Sequence, residues 1–337
     1  MKTLISEITI GNFRFNYVTN LTIESSWDTL TDTASITIPN KFRKDNKIII
    51  AGTENIFKRG DPIVINIGYF PNLLTKFKGF ISKVIPGSPL TLECEDAMFL
   101  LKQINIPSQT LENTTIKKVI DIVAEGVEVE FDDPNAEIGT FEIDNKNFVN
   151  AVSIFEVLKS TFGYQIYFQD EILQVRAMRS IIALSKPIHT MNFQKNIIES
   201  NLEFRRDDDV SMFVRFDSRQ EDNSNFTFFG FKKDGKIVIT ETPQTGQVAH
   251  NWNVPGLSAK QIKKLIKNNI DNFIATEFVG DFTTFLEPSV NHSDRIDMID
   301  LKNPDDKNGR YLIRSAPTSF GINGGRQVIE LKNKISI

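Results

Sequence analysis

The strongest constraint on what this chain can fold into lies between Arg59 and Asp96, RGDPIVINIGYFPNLLTKFKGFISKVIPGSPLTLECED. Gly60-Asp61-Pro62 reads as a turn, and Ile63, Ile65 and Ile67 then alternate with Val64 and Asn66. Phe70-Pro71-Asn72 breaks the run, and Phe77, Phe80, Ile81 and Val84 carry a second strand around Gly79. Pro86-Gly87-Ser88-Pro89 is a dense turn signal, after which Leu90, Leu92 and Cys94 alternate with Thr91, Glu93 and Glu95. An apolar residue at every second position buries one face of a sheet and leaves the other wet. The stretch therefore predicts a three-stranded antiparallel meander, part of a small barrel.

Upstream, LISEITI, FRFNYV, LTIESS and ASITIP are strand signals, and WDTLTDT between the last two is a polar, turn-like link. Residues 42–58 predict a long loop with one apolar strand, Ile48 to Ala51. Residues 1–96 are thus expected to form a first all-β domain. The pattern changes at AMFLLKQ, a short helix. Thr114 is the expected cap of a helix carrying Ile116, Val119, Ile120 and Val123 and ended by Gly126; VEVEF follows as a strand. Asn150 or Asn147 caps a second helix with Val152, Phe155, Val157, Leu158 and Phe162 apolar and Gly163 as its stop. YQIYF and ILQVR form a hairpin across Gln169-Asp170-Glu171, so residues 97–185 read as a small α+β domain.

From residue 186 the chain is β again: HTMNF, IIESNLEF and VSMFVRF. The polar run DSRQEDNSN marks the mouth of an insertion, expected over 221–284. It holds two strands, FTFFGF and KIVIT, about the Asp234-Gly235 turn, then PQTGQ and a long helix capped by Ser258. Ile262, Leu265, Ile266, Ile270, Phe273 and Ile274 make the helix's apolar stripe. Lys260, Lys263, Lys264 and Lys267 lie mostly elsewhere and read as a solvated face rather than an anion site. A polar segment before the insertion and Pro288 after it suggest a separable unit. SDRIDMIDL, RYLIRSA and RQVIELKNKI are three further strands, so 186–220 with 285–337 form a second β domain. Gly321-Ile322-Asn323-Gly324-Gly325 reads as a hairpin turn.

The last strands echo the opening meander. Ser293-Asp294-Arg295-Ile296 mirrors Gly60-Asp61-Pro62-Ile63, Asn308 to Ile313 mirrors Lys78 to Ile81, and Val328 to Leu331 mirrors Leu90 to Glu93. The echo predicts two similar barrels separated by an α+β unit and an insertion.

Chemistry-bearing patterns are absent. The three histidines, His189, His250 and His292, are far apart and in no HExxH or HxH pattern, and there is no GxSxG, P-loop or GxGxxG. Glu93, Glu95 and Asp96 read as a polar sheet face, and Arg205-Arg206-Asp207-Asp208-Asp209 as a solvated loop with local charge pairs. Cys94, the single cysteine, excludes an intrachain disulfide and sits where a strand buries it. Lys+Arg 39 against Asp+Glu 43 gives a net charge of −4, without the basic stripe of a nucleic-acid binder. The start MKTLISEITIGNF lacks a signal-peptide pattern, and no apolar run approaches the roughly 20 residues of a membrane helix. No catalytic, cofactor-binding or metal residue is assigned.

WDTLTDTASITIPNKF, RGDPIVINIGY, KFKGFISKV, PLTLECEDAMFLLK and GRYLIRSAPTSFGINGGRQVIELKNKI resemble the tail hub, or baseplate hub, proteins of tailed bacteriophages. The late control protein D family and the hub part of type VI secretion spike proteins belong to the same broad group. The resemblance implies a mainly β fold with α+β parts. Two similar β-barrel tube domains would be joined by a small α+β domain and an inserted helix-containing domain. It implies a homotrimer forming a pseudo-sixfold ring in the virion tail, between a hexameric tail tube protein and a threefold spike or tail tip protein. The tape measure protein and other baseplate proteins are further implied partners. DNA would pass through the channel without specific binding. With no β-helix or needle after the second barrel and no lysozyme-like insertion, spike and wall-digesting activities are expected on separate proteins; no cofactor is implied. Trp27, Leu30, Ile63, Ile65, Phe77 and Phe80 in barrel one, and Ile296, Tyr311, Ile313, Val328 and Ile329 in barrel two, are packing candidates. The alternatives are a receptor- or glycan-binding tail tip protein, which would need exposed aromatic platforms, and a hydrolase using the carboxylates above.

Overall fold

The structure is a computed structural model that describes residues 2–44, 47–50, 56–144, 150–220, 222–302 and 308–335, with the side chains of 43, 44 and 47–49 left aside. The first half comprises β1 (Leu4–Ile10), β2 (Phe13–Phe15), β3 (Asn20–Glu24), β4 (Thr33–Ile38), β5 (Lys41–Lys44), β6 (Lys47–Ile50), β7 (Pro62–Tyr69), β8 (Asn72–Ile85) and β9 (Leu90–Glu95). The meander forms as the alternation requires, β7-β8-β9, flanked by β1 on β7 and by β4 and β3 on β9. Its inward positions, Ile8, Ile36, Ile65, Ile81, Leu92 and Cys94 among them, form one buried core. Burial in that core pushes the Cys94 thiol up to about 12, so it is a packing group. Where a long loop was expected after residue 42, β5 and β6 pair as a hairpin. Phe42 on β5 meets Phe15 edge-on at 5.1 Å, which ties the hairpin to the first half. Ala51 lies outside the described residues.

The middle of the chain comprises α1 (Met98–Leu101), β10 (Gln109–Thr115), α2 (Ile116–Val123), β11 (Val129–Phe131), β12 (Glu137–Ile143), α3 (Ala151–Phe162), β13 (Gln165–Gln169), β14 (Ile172–Arg176) and α4 (Met178–Ala183). The cap of α2 is Thr115, whose hydroxyl accepts from Lys118 N, and not Thr114. Thr114 is still in β10, paired with Gly139, so the chain turns helical one residue later than its polarity suggested. Asn150 caps α3 through Ser153 N, and Gly163 ends it in the left-handed region at φ +74°; Asn147 lies outside the described residues. Val157, expected on the apolar stripe of α3, is exposed, and Ile154 is buried instead. The β10–β12 pair carried no strand signal that the sequence reading used.

The second half opens with β15 (Ile188–Asn192), β16 (Ile197–Ser200) and β17 (Glu203–Arg205). The insertion follows as β18 (Met212–Arg219), β19 (Asn225–Lys233), β20 (Lys236–Thr240), β21 (Gln247–Asn253) and α5 (Ala259–Asn269). The chain then returns through β22 (Glu277–Val279), β23 (Asp281–Thr284), β24 (Arg295–Ile299), β25 (Gly309–Ser315), β26 (Thr318–Gly321) and β27 (Gly324–Ile335). Both insertion boundaries differ from the expected 221–284. β18, assigned by sequence to the barrel, lies inside the four-stranded sheet β20-β19-β18-β21, so the polar run after it is a hairpin turn. β23, assigned to the insertion, pairs with β16 and β27 in the barrel.

The insertion is also not separate. Val214, Phe216, Trp252, Leu257, Ile262 and Ile266 share one core with Ile120, Ile138, Phe155 and Leu158 of the α+β unit. Asn269 Nδ2 donates to Phe162 O at 3.1 Å, and a Cβ on Gly163 would stand 2.6 Å from the Asn269 side chain, so glycine also permits this helix contact. α5 carries the expected Ser258 cap as a full capping box with Gln261. Its lysines are exposed as expected, with Lys264 paired to Asp133 and Lys263 set 4.9 Å over the Phe228 ring.

The two halves repeat strand for strand. β24-β25-β27 matches β7-β8-β9, β23 matches β4, β16 matches β3, and β15 takes the place of β1 with its direction reversed, parallel to β24. The match extends to single hydrogen bonds. Gly60 N donates to Ile81 O at 2.8 Å and Ile81 N to Asp61 O at 2.9 Å. Ser293 N donates to Ile313 O and Ile313 N to Asp294 O, both at 2.9 Å. Gly60 and Ser293 both have positive φ. A register shift falls between Ile81 and Lys83 in one half and between Ile313 and Ser315 in the other. The equivalence corrects the sequence echo at two places: Gly79 corresponds to Tyr311 rather than Gly309, and Val328 to Thr91 rather than Leu90. The halves are not isolated, because β26 pairs with β3 and makes one continuous sheet.

Candidate functional site

What holds the two halves at a fixed relation is the segment after β3. Its register with β26 continues as a bridge between Ser26 and Ser315. Trp27 N donates to Arg314 O at 3.3 Å and Ala316 N to Ser25 O at 2.9 Å. The Trp27 ring is buried, and its Nε1 donates to Ile313 O at 2.8 Å. Asp28 takes Lys159 of α3 at 2.9 Å and also Arg314 of β25. Those two cations hold its carboxyl below the usual range against the opposing effect of burial. Leu30 packs on the α+β core. One eight-residue stretch, 25–32, thus touches both halves and the α+β unit.

Beneath it lies a polar cluster. Ser25 Oγ donates to Asp32 Oδ2 at 2.7 Å and Ser26 N to Asp32 Oδ1 at 3.1 Å. Asp96 accepts from Asp32 N and from Met98 N at the start of α1, both at 2.9 Å. Burial raises Asp32 to about 6; burial and then the Asp32 charge raise Asp96 to about 7. His292 Nε2 stands 3.8 Å from Asp32, and burial pulls its imidazole down to about 4. Lys76 Nζ crosses from β8 to Val290 O at 2.7 Å, with burial pulling it down to about 8. These groups border a cavity of about 300 Å³ between the halves and the β13–β14 turn. Asp32, Asp96 and Lys76 serve here as partners for backbone groups, Lys76 doing so across the junction between the halves, while His292 meets the Ser293 hydroxyl at 3.2 Å. The described residues hold no cluster of three or more metal-ligating groups.

A larger cleft, about 950 Å³, opens where stretch 27–31, α3, the insertion and β25 meet. Trp252 lines it but is buried, as is Trp27, so neither tryptophan offers the exposed platform that a glycan-binding tip would need. The three histidines are not brought together as a site: His189 pairs with Asp294 at 3.1 Å, His250 stacks on Phe273 at 4.2 Å, and His292 meets Tyr167 edge-on at 5.1 Å. Glu93 and Glu95 pair with Lys83 and Lys102, whereas Asp96 turns inward. Within the 205–209 run Arg206 pairs locally with Asp208 as expected, whereas Arg205 belongs to β17 and pairs with the distant, buried Glu277.

Of the packing candidates, Trp27, Ile63, Ile65, Phe77, Ile296, Tyr311, Ile313 and Ile329 are buried. Leu30, Phe80 and Val328 are half-buried, with Phe80 stacked on Phe99. Sequence reasoning passed over Asp28, Asp32, Lys76 and Arg314. A tryptophan followed by two aspartates, Asp28 and Asp32, in a nominal surface turn was the available signal, since an indole is rarely left wet.

No family model matches the chain, and no curated protein matches it. Solved structures do. The tail protein from Neisseria meningitidis MC58 superposes with a TM-score of 0.66 at 13% identity, covering 98% of this chain and 96% of that one. The chain has a phage tail-protein fold. The 43 kDa tail protein of prophage MuSo2 from Shewanella oneidensis shares this tail-protein fold, with a TM-score of 0.59, 15% identity and 97% of both chains covered. So does the E. coli c3393 protein, a type VI secretion component described as structurally similar to T4 bacteriophage tail proteins gp27 and gp5. It has a TM-score of 0.59 and 9% identity, with 98% of this chain and 77% of that one covered. The tail-protein fold is thus matched over nearly the whole chain. No helix among the described residues is long and apolar enough to cross a membrane.

Proposed function

We propose that this chain is a structural hub protein of a phage tail or a phage-derived injection machine. Three copies close into a ring of six barrel halves. One side of the ring meets a hexameric tail tube, the other a threefold spike or tail tip, and the ring lines the channel. The observation that carries the reading is the repeat itself, with Gly60, Asp61 and Ile81 matched bond for bond by Ser293, Asp294 and Ile313. A sixfold tube presents six equivalent edges, and a trimer meets all six only when each chain offers two near-equivalent domains. The Trp27 clasp and the β26–β3 ladder supply the second requirement, a fixed angle between the two. No residue is assigned a catalytic, cofactor or metal role. The net charge of −4 suits a conduit that does not hold DNA.

The test is the mass of the full chain by sedimentation over a concentration series, alone and with tail tube protein, alongside electron microscopy of the particles. A trimer seen as a ring with six lobes is expected. A monomer under every condition, or an open filament, overturns the reading.

A further inference from the structure

The repeat has an unequal ending that points to the contact between copies. In the second half, the outer edge of β25 beyond Ile313 is covered from within the chain, by Ser26 opposite Ser315 and by the two backbone bonds beside that pair. In the first half, the equivalent edge is β8 beyond Ile81, residues Ser82 to Ile85. Its pairing with β7 ends at Pro62 opposite Phe80, and no strand among the described residues covers it farther on.

The covering strand has its own counterpart. β3 corresponds to β16 and β17, since Leu21 faces Ile36 as Ser200 faces Phe282, and Glu24 faces Thr33 as Glu203 faces Val279. Among the described residues β16 and β17 pair on one side only, with β23 and β22. Along their other edge Ile198, Glu199, Ser200, Glu203 and Arg205 are exposed. Among the described residues each chain therefore has an acceptor edge and a donor edge that the repeat relates to each other. Open strand edges of this kind call for cover.

We propose that β16–β17 of one copy lies antiparallel along Ser82–Ile85 of the next, repeating between copies the Ser26–Ser315 junction made within each. This rests on the ring reading above. The register is set by the repeat: Lys83 corresponds to Ser315 and Arg205 to Ser26, so Arg205 of one copy faces Lys83 of its neighbour. Charge does not set this register: Arg205 directly faces the like-charged Lys83, and each is already paired within its own chain, Arg205 to Glu277 and Lys83 to Glu93. The ladder that β26 adds to β3 has no counterpart between copies, because Pro86 and Pro89 occupy the equivalent turn of the first half and proline cannot donate to a ladder. The six junctions of the ring therefore alternate, three strong ones inside the chains and three weaker ones between them.

The test is a cysteine pair in the full chain, Lys83→Cys with Arg205→Cys, each single variant serving as control; the native Cys94 is buried and does not compete. Under mild oxidation at a concentration where sedimentation gives a trimer, the double variant should run as covalent trimers on a denaturing, non-reducing gel, and neither single variant should. A trimer by mass that fails to cross-link overturns the contact and leaves the ring standing; no trimer in the unsubstituted chain overturns the ring reading and the contact with it. If the cysteines disturb folding, the charge of the facing pair decides: Lys83→Glu, set opposite Arg205, should tighten the trimer several-fold, and Arg205→Glu added to it should undo the gain. No tightening, or a double variant as tight as the single one, counts against the register.

Discussion

Replacing Asp32 by asparagine should stabilise this protein at high pH and do less at low pH. Asp32 ionises in the folded chain near 6, against an ordinary carboxylate value of 3.8, because burial penalises its charge. The unfolded chain loses that proton near 3.8 and the folded chain only near 6. Between the two the folded state binds more protons, so stability falls as pH rises through the window. The full penalty, about 3 kcal/mol for a shift of roughly two units, is present above about pH 7. Asp96, raised to about 7 partly by the Asp32 charge, adds to it.

His292 works in the opposite sense: its folded value of about 4 lies below the ordinary 6.5, so its contribution is lost as pH falls through that range. The wild-type profile mixes both, and the difference between variant and wild type isolates the carboxylate. The substituted amide keeps the shape, accepts from Ser26 N, and donates to Ser25 Oγ once that hydroxyl turns round. Urea unfolding should show the advantage of Asp32→Asn growing by about 2 kcal/mol between about pH 4.5 and about pH 8. A difference that stays flat with pH, or a variant less stable at the alkaline end, would refute the reasoning.

Two further outcomes follow from the junction. Trp27→Ala should cost about 3–5 kcal/mol in denaturant unfolding, and Trp27→Phe about 1–2 kcal/mol, because the ring volume is largely kept and Ile313 O still accepts from Ser293 N; a cost below about 1 kcal/mol for alanine would show that the clasp does not bind the halves. Replacing residues 206–276 by a short linker should leave 97–185 molten, with dye-binding apolar surface and rapid proteolysis, since its helices share their core with the insertion. A protease-resistant α+β unit in that variant would show the shared core to be dispensable.

Much of the fold was legible in the residues because strand alternation is a local property. Ile63, Ile65, Leu90 and Leu92 could face inward in only one way, and a one-residue slip would have exposed all of them. Helix caps were legible for the same reason at Asn150 and Ser258, where a short polar side chain meets the first free amides. Two similar barrels could be inferred from turn residues, but not their register, which the sequence echo misplaced by one position at Val328 and two at Gly309. That needed the hydrogen bonds of Asp61 and Asp294, whose side chains say nothing about which strand their backbones hold.

The site itself was decided almost wholly by tertiary structure. Asp28, Asp32, Asp96, His292 and Arg314 are ordinary surface residues by composition, and they become a junction only because residues 286 positions apart, Trp27 and Ile313, are brought to 2.8 Å. Insertion limits failed for a related reason. A polar run marks a turn, and whether the turn lies within a sheet or between domains depends on which strand answers β18, a non-local pairing that no window of sequence contains.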